Sequence, residues 1–165
     1  RGKGAAIKKA LKSANNQNII LIDGDLEIDI EVLPVLIEKF EKNNKDVITG
    51  VRWMKNSSPN FEINSIGNFL VNFLFNLLYR TKLNDVLCCL KIINTNLFKS
   101  LNIKSNGFEI EVETMSKIVL SHISVKEVNI NYSRRSKKEG KKLRASDGWK
   151  IIWTMIIMRF KKNLI

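Results

Sequence analysis

A short apolar run, Ile19-Ile20-Leu21-Ile22 behind Asn18, leads straight into Asp23-Gly24-Asp25. A strand with no polar alternation is expected to be covered on both faces, as in the parallel sheets of α/β proteins. Asp29–Asn43 then has helical spacing, with Val32, Val35, Leu36 and Phe40 on the inner face and Pro34 in the first turns, where proline is tolerated. Asp46–Val51 is a second apolar run of strand length. Strand, helix and strand joined by short connections predict a βαβ unit. The fold class that follows is α/β, a mostly parallel sheet flanked by helices.

The rest of the chain fits that class. Helices are expected over Ala5–Ala14, Ile66–Tyr79, Thr95–Leu101 and Phe108–Leu120, strands over Val86–Ile93 and Ser124–Tyr132, and a loop over Trp53–Asn60. An amphipathic helix is expected over 146–162, behind a basic loop over 133–145. With 165 residues and 44% hydrophobic composition, the chain suits one domain with a core. It starts at Arg1, and Arg1-Gly2-Lys3-Gly4 reads like the middle of a longer domain.

Charge narrows the function. The formal net charge is +12, which favours anionic partners. Seven Lys/Arg and one acid lie within Arg134–Arg144. That run contains no aromatic residue for base stacking, which argues against single-stranded nucleic acid. Against this background, Asp23, Asp25, Glu27, Asp29 and Glu31 gather negative charge that a bound divalent ion would relieve. Zinc is a poor match, because Cys88 and Cys89 are adjacent and His122 is the only histidine. Adjacent cysteines without another partner suit a reducing, cytosolic setting. No apolar run reaches the ~18–20 residues needed to cross a bilayer.

Ligands of open α/β sheets sit beyond the carboxyl ends of the strands, where Asp23 and Asp25 are expected. Their oxygens suit Mg2+ or Mn2+ held against a diphosphate. The competing structural role is a helix N-cap, which Asp29 is better placed to fill. The basic run fits a lid that closes on phosphates, a solvated loop or a lipid-facing surface. Glu109, Glu111 and Glu113 fit either a solvent-facing helix start or a group near sugar or acceptor. Asp85 fits a turn or a catalytic contact. Trp149, Trp153, Ile156 and Ile157 of the last helix fit the cytoplasmic leaflet or packing on the sheet.

Taken together, Gly2-Lys3-Gly4-Ala5-Ala6-Ile7, Asp23-Gly24-Asp25-Leu26-Glu27 and Gly50-Val51-Arg52 resemble the family 2 glycosyltransferases of GT-A fold. The dolichyl/polyprenyl-phosphate mannosyl- and glucosyltransferases are the most similar subgroup. Asp85–Lys91, Phe108-Glu109-Ile110-Glu111, Glu127–Tyr132, Arg135, Glu139–Lys142 and Asp147-Gly148 extend the resemblance in order. It departs at Gly24, where alanine is usual, at Asn129, where proline is frequent, and at Phe61-Glu62, which stand in place of a basic residue.

The resemblance implies a partial GT-A domain over 1–165 whose first, nucleoside-holding strands are missing. Asp23 and Asp25 would hold the metal and the diphosphate, with Asp25, Asp85 and Glu111 as the catalytic set. Lys3, Arg52, Arg135, Lys141 and Lys142 would bind substrate. The implied reaction is inverting transfer from a nucleoside-diphosphate sugar to a polyprenyl phosphate, at a cytoplasmic site peripheral to the membrane. The rivals are transfer to a glycan hydroxyl, which needs a carboxylate base, and a non-catalytic anion- or membrane-binding remnant. Nucleic acid is not an expected partner.

Overall fold

The computed structural model describes residues 2–42, 46–52, 63–133 and 145–161. The chain runs through α1 (Lys3–Lys12), β1 (Asn18–Leu21), a 3-10 turn (Ile30–Val32), α2 (Leu33–Lys42) and β2 (Val47–Val51). It continues with α3 (Ile63–Tyr79), β3 (Lys91–Asn94), α4 (Thr95–Ser100), α5 (Ile110–Leu120), β4 (Val125–Asn129) and α6 (Ala145–Phe160). The basic run Arg134–Arg144 and the loop Trp53–Asn60 lie outside the described residues.

The four strands form one sheet in the order β1-β3-β2-β4. Strand β3 is antiparallel to both β1 and β2, and β2 is parallel to β4. Three strands therefore share one direction, but the sheet is mixed. Strand β3 sits between the two strands of the expected βαβ unit, so β1 and β2 do not pair with each other. An apolar run reports burial and leaves the choice of neighbouring strand open.

Successive strand residues feed opposite faces. Val47 and Ile93 join Phe75, Phe98, Met115, Ile118 and Met155 in one core, beneath α3, α5 and α6. Ile48 and Ile92 join Leu36 of α2, Leu90, Val128 and Ile130 in the other. Helices on both faces of the sheet give three layers, as the sequence implies.

Three elements differ from their sequence expectations. Strand β1 is an edge of the described sheet, and Ile20 is 37% exposed rather than covered on both sides. Of the run Val86–Ile93, only residues from Lys91 onward are strand, in β3. Val86, Cys88 and Leu90 are still buried, but the Cys88 N–H donates back to the Asp85 carbonyl in a turn. The helix expected at Asp29 begins as a 3-10 turn, with the Asp29 side chain accepting from the Glu31 N–H at 3.0 Å. Asp29 thus takes the capping role read for it in the sequence.

Candidate active site

The Gly-Lys-Gly start of α1 explains how Lys3 reaches the acidic loop. Gly2 has φ +140, and a Cβ there would lie 2.5 Å from the Asn106 carbonyl oxygen. A Cβ on Gly4 would lie 2.5 Å from the Ser105 carbonyl oxygen. Both glycines let the first turn of α1 press against the segment before α5. There the Gly4 and Ala5 N–H groups donate to the Gly107 and Asn106 carbonyls at 3.3 and 3.0 Å. Lys3, between them, points its ammonium at two carboxylates. It lies 2.8 Å from Asp23 Oδ1 and 2.7 Å from Glu111 Oε1.

Glu111 passes the contact onward. Its other oxygen meets Lys91 Nζ at 2.5 Å, and Lys91 also donates to the Cys88 carbonyl. Asp23, Lys3, Glu111 and Lys91 form a line of alternating charge from the loop after β1, through α5, to β3. Glu111 is 7% exposed and Lys91 1%. Such burial opposes ionisation, so each charge depends on its neighbours. Burial opposes ionised Glu111, but Lys91 and Lys3 outweigh it and hold the carboxyl below its ordinary value. Burial likewise opposes the Lys3 ammonium, and Glu111 and Asp23 overcome it and raise its pKa.

The remaining acids of this helix have other duties. Glu113 is wholly buried, accepts from the Lys104 and Ser105 N–H groups at 2.9 and 2.7 Å, and pairs with Lys117 at 2.7 Å. Burial opposes its ionisation, yet Lys117 and these donors hold its carboxyl below the ordinary value. Glu109 accepts from the Gly107 N–H at 2.9 Å. The solvent-facing alternative therefore fails for Glu111 and Glu113: they fasten α5 to the rest of the fold.

This pairing sets a pH dependence. With Glu111 and Glu113 held below 4.5, their stabilisation is complete above pH 4.5 and is lost as pH falls through the lowered values. With Lys3 raised above 10.5, its contribution is complete below pH 10.5 and is lost as pH rises through the raised value. Thermal unfolding followed against pH is expected to give a plateau between these limits. An acid-side fall that is equally steep after Glu111→Gln and Glu113→Gln would contradict this assignment.

Asp25 accepts from the Glu27 N–H at 3.2 Å, which curls the loop at Leu26, where φ is +62. Open space surrounds Gly24, and the Asp23 side chain is 36% exposed. Among the described residues, no three His, Cys, Asp or Glu side chains converge on a metal position. Two carboxylates at an open loop still suit a hard ion such as Mg2+ or Mn2+. Such ions are held by one or two carboxylates plus substrate phosphates and water. The donors present thus fit an ion that arrives with a diphosphate. The Lys3 ammonium on Asp23 supplies positive charge at the same place.

A second cluster lies at the end of β2. Arg52 grips Asp85 in a fork, Nε to Oδ2 and Nη2 to Oδ1, both at 2.8 Å. Asp85 is 3% exposed. Burial weakens the Arg52 cation, but Asp85 more than restores it and raises its pKa. Glu127 of β4 fixes the Asp85 segment, accepting from the Asn84 and Asp85 N–H groups at 2.7 and 3.1 Å. The guanidinium also lies over the Tyr132 ring, 5.5 Å from its centre. Tyr132 donates in turn to Glu27 at 2.8 Å. Leu26–Ile30 and Asn131–Ser133 line a cleft of about 440 Å³ beside the acidic loop.

Of the residues singled out in the sequence, Lys3, Asp23 and Glu111 meet directly, and Asp25 is on the same loop as Asp23. Arg52 and Asp85, read separately as a substrate-binding and a catalytic residue, are partners of each other. Arg135, Lys141 and Lys142 lie outside the described residues. Lys91, Tyr132 and Glu127 had no assigned roles. A lysine inside an apolar run, Leu90-Lys91-Ile92-Ile93, is the signal that a buried carboxylate waits for it.

The profile of Glycosyl transferase family 2 matches residues 1–102. The Dodecaprenyl-phosphate galacturonate synthase of Rhizobium johnstonii is 28% identical over 62% of this chain and 30% of its own length. The Low-salt glycan biosynthesis hexosyltransferase Agl6 of Haloferax volcanii is 24% identical over 95% of this chain and 38% of its own. The chain therefore spans well under half the length of these curated relatives. Glucosyl-3-phosphoglycerate synthase from Mycobacterium tuberculosis, in complex with Mn2+, uridine-diphosphate and phosphoglyceric acid, superposes with a TM-score of 0.72. That similarity is at 15% identity and covers 99% of this chain and 56% of the synthase. It establishes the GT-A fold.

Proposed function

The chain belongs to glycosyl transferase family 2, and from that premise we propose that it is part of an inverting glycosyltransferase. Its donor is a nucleoside-diphosphate sugar and its acceptor a polyprenyl phosphate, at the cytoplasmic membrane surface. The observation that carries the reading is the bridge from Lys3 to Asp23 and Glu111. It sets a half-buried ammonium, its pKa raised by its two carboxylate partners, against Asp23 of the Asp23-Gly24-Asp25 loop, and positive charge there is what an anionic diphosphate leaving group needs. The Mn2+ and uridine-diphosphate of the Mycobacterium structure support the same donor chemistry. The Rhizobium relative, by name a dodecaprenyl-phosphate galacturonate synthase, supports a lipid phosphate as acceptor.

Asp23 and Asp25 would hold Mg2+ or Mn2+ in this reading, which would supply Lewis-acid stabilisation of the departing diphosphate. Lys3 shares that task through its ammonium, oriented by Glu111 and Lys91. Arg52 faces the acceptor side, its fork held by Asp85 and its face by Tyr132. Arg135, Lys141 and Lys142, outside the described residues, would add phosphate-binding charge in this reading. A phosphate monoester is already anionic near neutral pH, so the nucleophile needs no base. That agrees with the state of the carboxylates: Asp85 is forked by Arg52, and Glu111 is a weakened base between two lysines. A glycan hydroxyl would need one of them free.

The test supplies the full-length protein with radiolabelled nucleoside-diphosphate sugars, Mn2+, and either undecaprenyl phosphate or a soluble glycan. Label is expected in an acid-labile lipid product. Label entering only the glycan would overturn the acceptor assignment.

A further inference from the structure

Helix α3 is 17 residues long and carries no charged residue. Its inner row, Val71, Phe75 and Tyr79, is buried. Its outer row is just as apolar: Phe69 is 73% exposed, Phe73 55% and Leu77 66%. A helix that is apolar on both sides needs a second cover. Helix α6 repeats the pattern, burying Ile151 and Met155 and exposing Trp149 at 68%, Trp153 at 54% and Phe160 at 71%. The two helices are fastened together. Tyr79 Oη donates to the Met155 carbonyl and Arg159 Nε to the Leu78 carbonyl, both at 2.8 Å.

We propose that the outer rows of α3 and α6 dock together on an anionic lipid bilayer. No helix among the described residues is long and apolar enough to cross a membrane, so the two lie along its surface. Helix α3, about 25 Å long at 1.5 Å per residue, offers a full apolar row to the acyl boundary. Charge identifies the occupant. Arg80 and Lys82 follow α3, and Lys150 and Lys161 flank the outer row of α6, all four exposed. The only acid in either helix is Asp147, which is half-buried. Lipid phosphates complement that cationic rim, and Trp149 and Trp153 suit the headgroup level. A second copy of the chain would bring the same cations against each other. Docking rests on the membrane-surface placement proposed above and names the face that makes the contact, and it needs neither donor nor acceptor.

The test uses the full chain with phosphatidylcholine vesicles, with and without phosphatidylglycerol, read by co-sedimentation. Quenching of tryptophan emission by brominated acyl chains reports depth. The expected result is binding to the mixed vesicles with quenching, weakened about tenfold or more by Phe73→Ser/Leu77→Ser and by Trp149→Ser/Trp153→Ser. These side chains are exposed, so circular dichroism should be unchanged. Two results would overturn the proposal. One is variants that bind as well as wild type and release in high salt, which is charge adsorption alone. The other is no vesicle binding, with a dimer that Phe73→Ser dissolves. Vesicle binding without lipid-linked product would sink the acceptor assignment and leave the docking face intact.

Discussion

Glu111→Gln is expected to lower the unfolding free energy by about 3–5 kcal/mol, the usual cost of removing one partner from a buried ion pair. The lost carboxylate strands Lys91, 1% exposed, against a neutral amide. Lys3 keeps only Asp23. The measurement is urea unfolding followed by tryptophan emission. Lys91→Met with Glu111→Leu is the informative companion, because it removes both charges while filling their space. It is expected to cost far less than Glu111→Gln alone. A loss below about 1 kcal/mol in the single variant would place Glu111 in a solvated pair instead.

Asp25→Ala is expected to reduce metal-dependent sugar transfer by the full-length protein at least about a thousandfold, or ~4 kcal/mol in the transition state. Stability should change less than in Glu111→Gln, because Asp25 is only half-buried. Initial rates at saturating Mn2+ check it. A fall in rate together with a fall in stability would mark Asp25 as a loop-former.

The layered α/β plan was legible because periodicity reports which residues need cover. Val47, Ile48, Ile92 and Ile93 behave as that pattern requires. Pairing partners were not legible: nothing in Asn18–Leu21 announces that its neighbour is Lys91–Asn94 running the other way. The conformation of Val86–Leu90 was equally hidden, since a buried turn and a buried strand share one composition. At the site, the acids stood out because they interrupt a basic sequence. Their pairing did not, because Lys3, Asp23 and Glu111 are far apart in sequence. Gly2 and Gly4 give the clearest retrospective clue, since glycines on both sides of a lysine mark a close backbone approach. The fork from Arg52 to Asp85 shows the limit of reading residues one at a time. Two groups that each suggest a ligand contact can instead satisfy each other.

In the proposed mechanism, the carboxylates of Asp23 and Asp25 bind a divalent ion together with a nucleoside diphosphate. Electron paramagnetic resonance of Mn2+ titrated into the full-length protein with uridine diphosphate tests it directly. The expected result is a bound-ion signal that requires the nucleotide and disappears in Asp23→Asn/Asp25→Asn. The same signal with undiminished affinity in that double variant would contradict it.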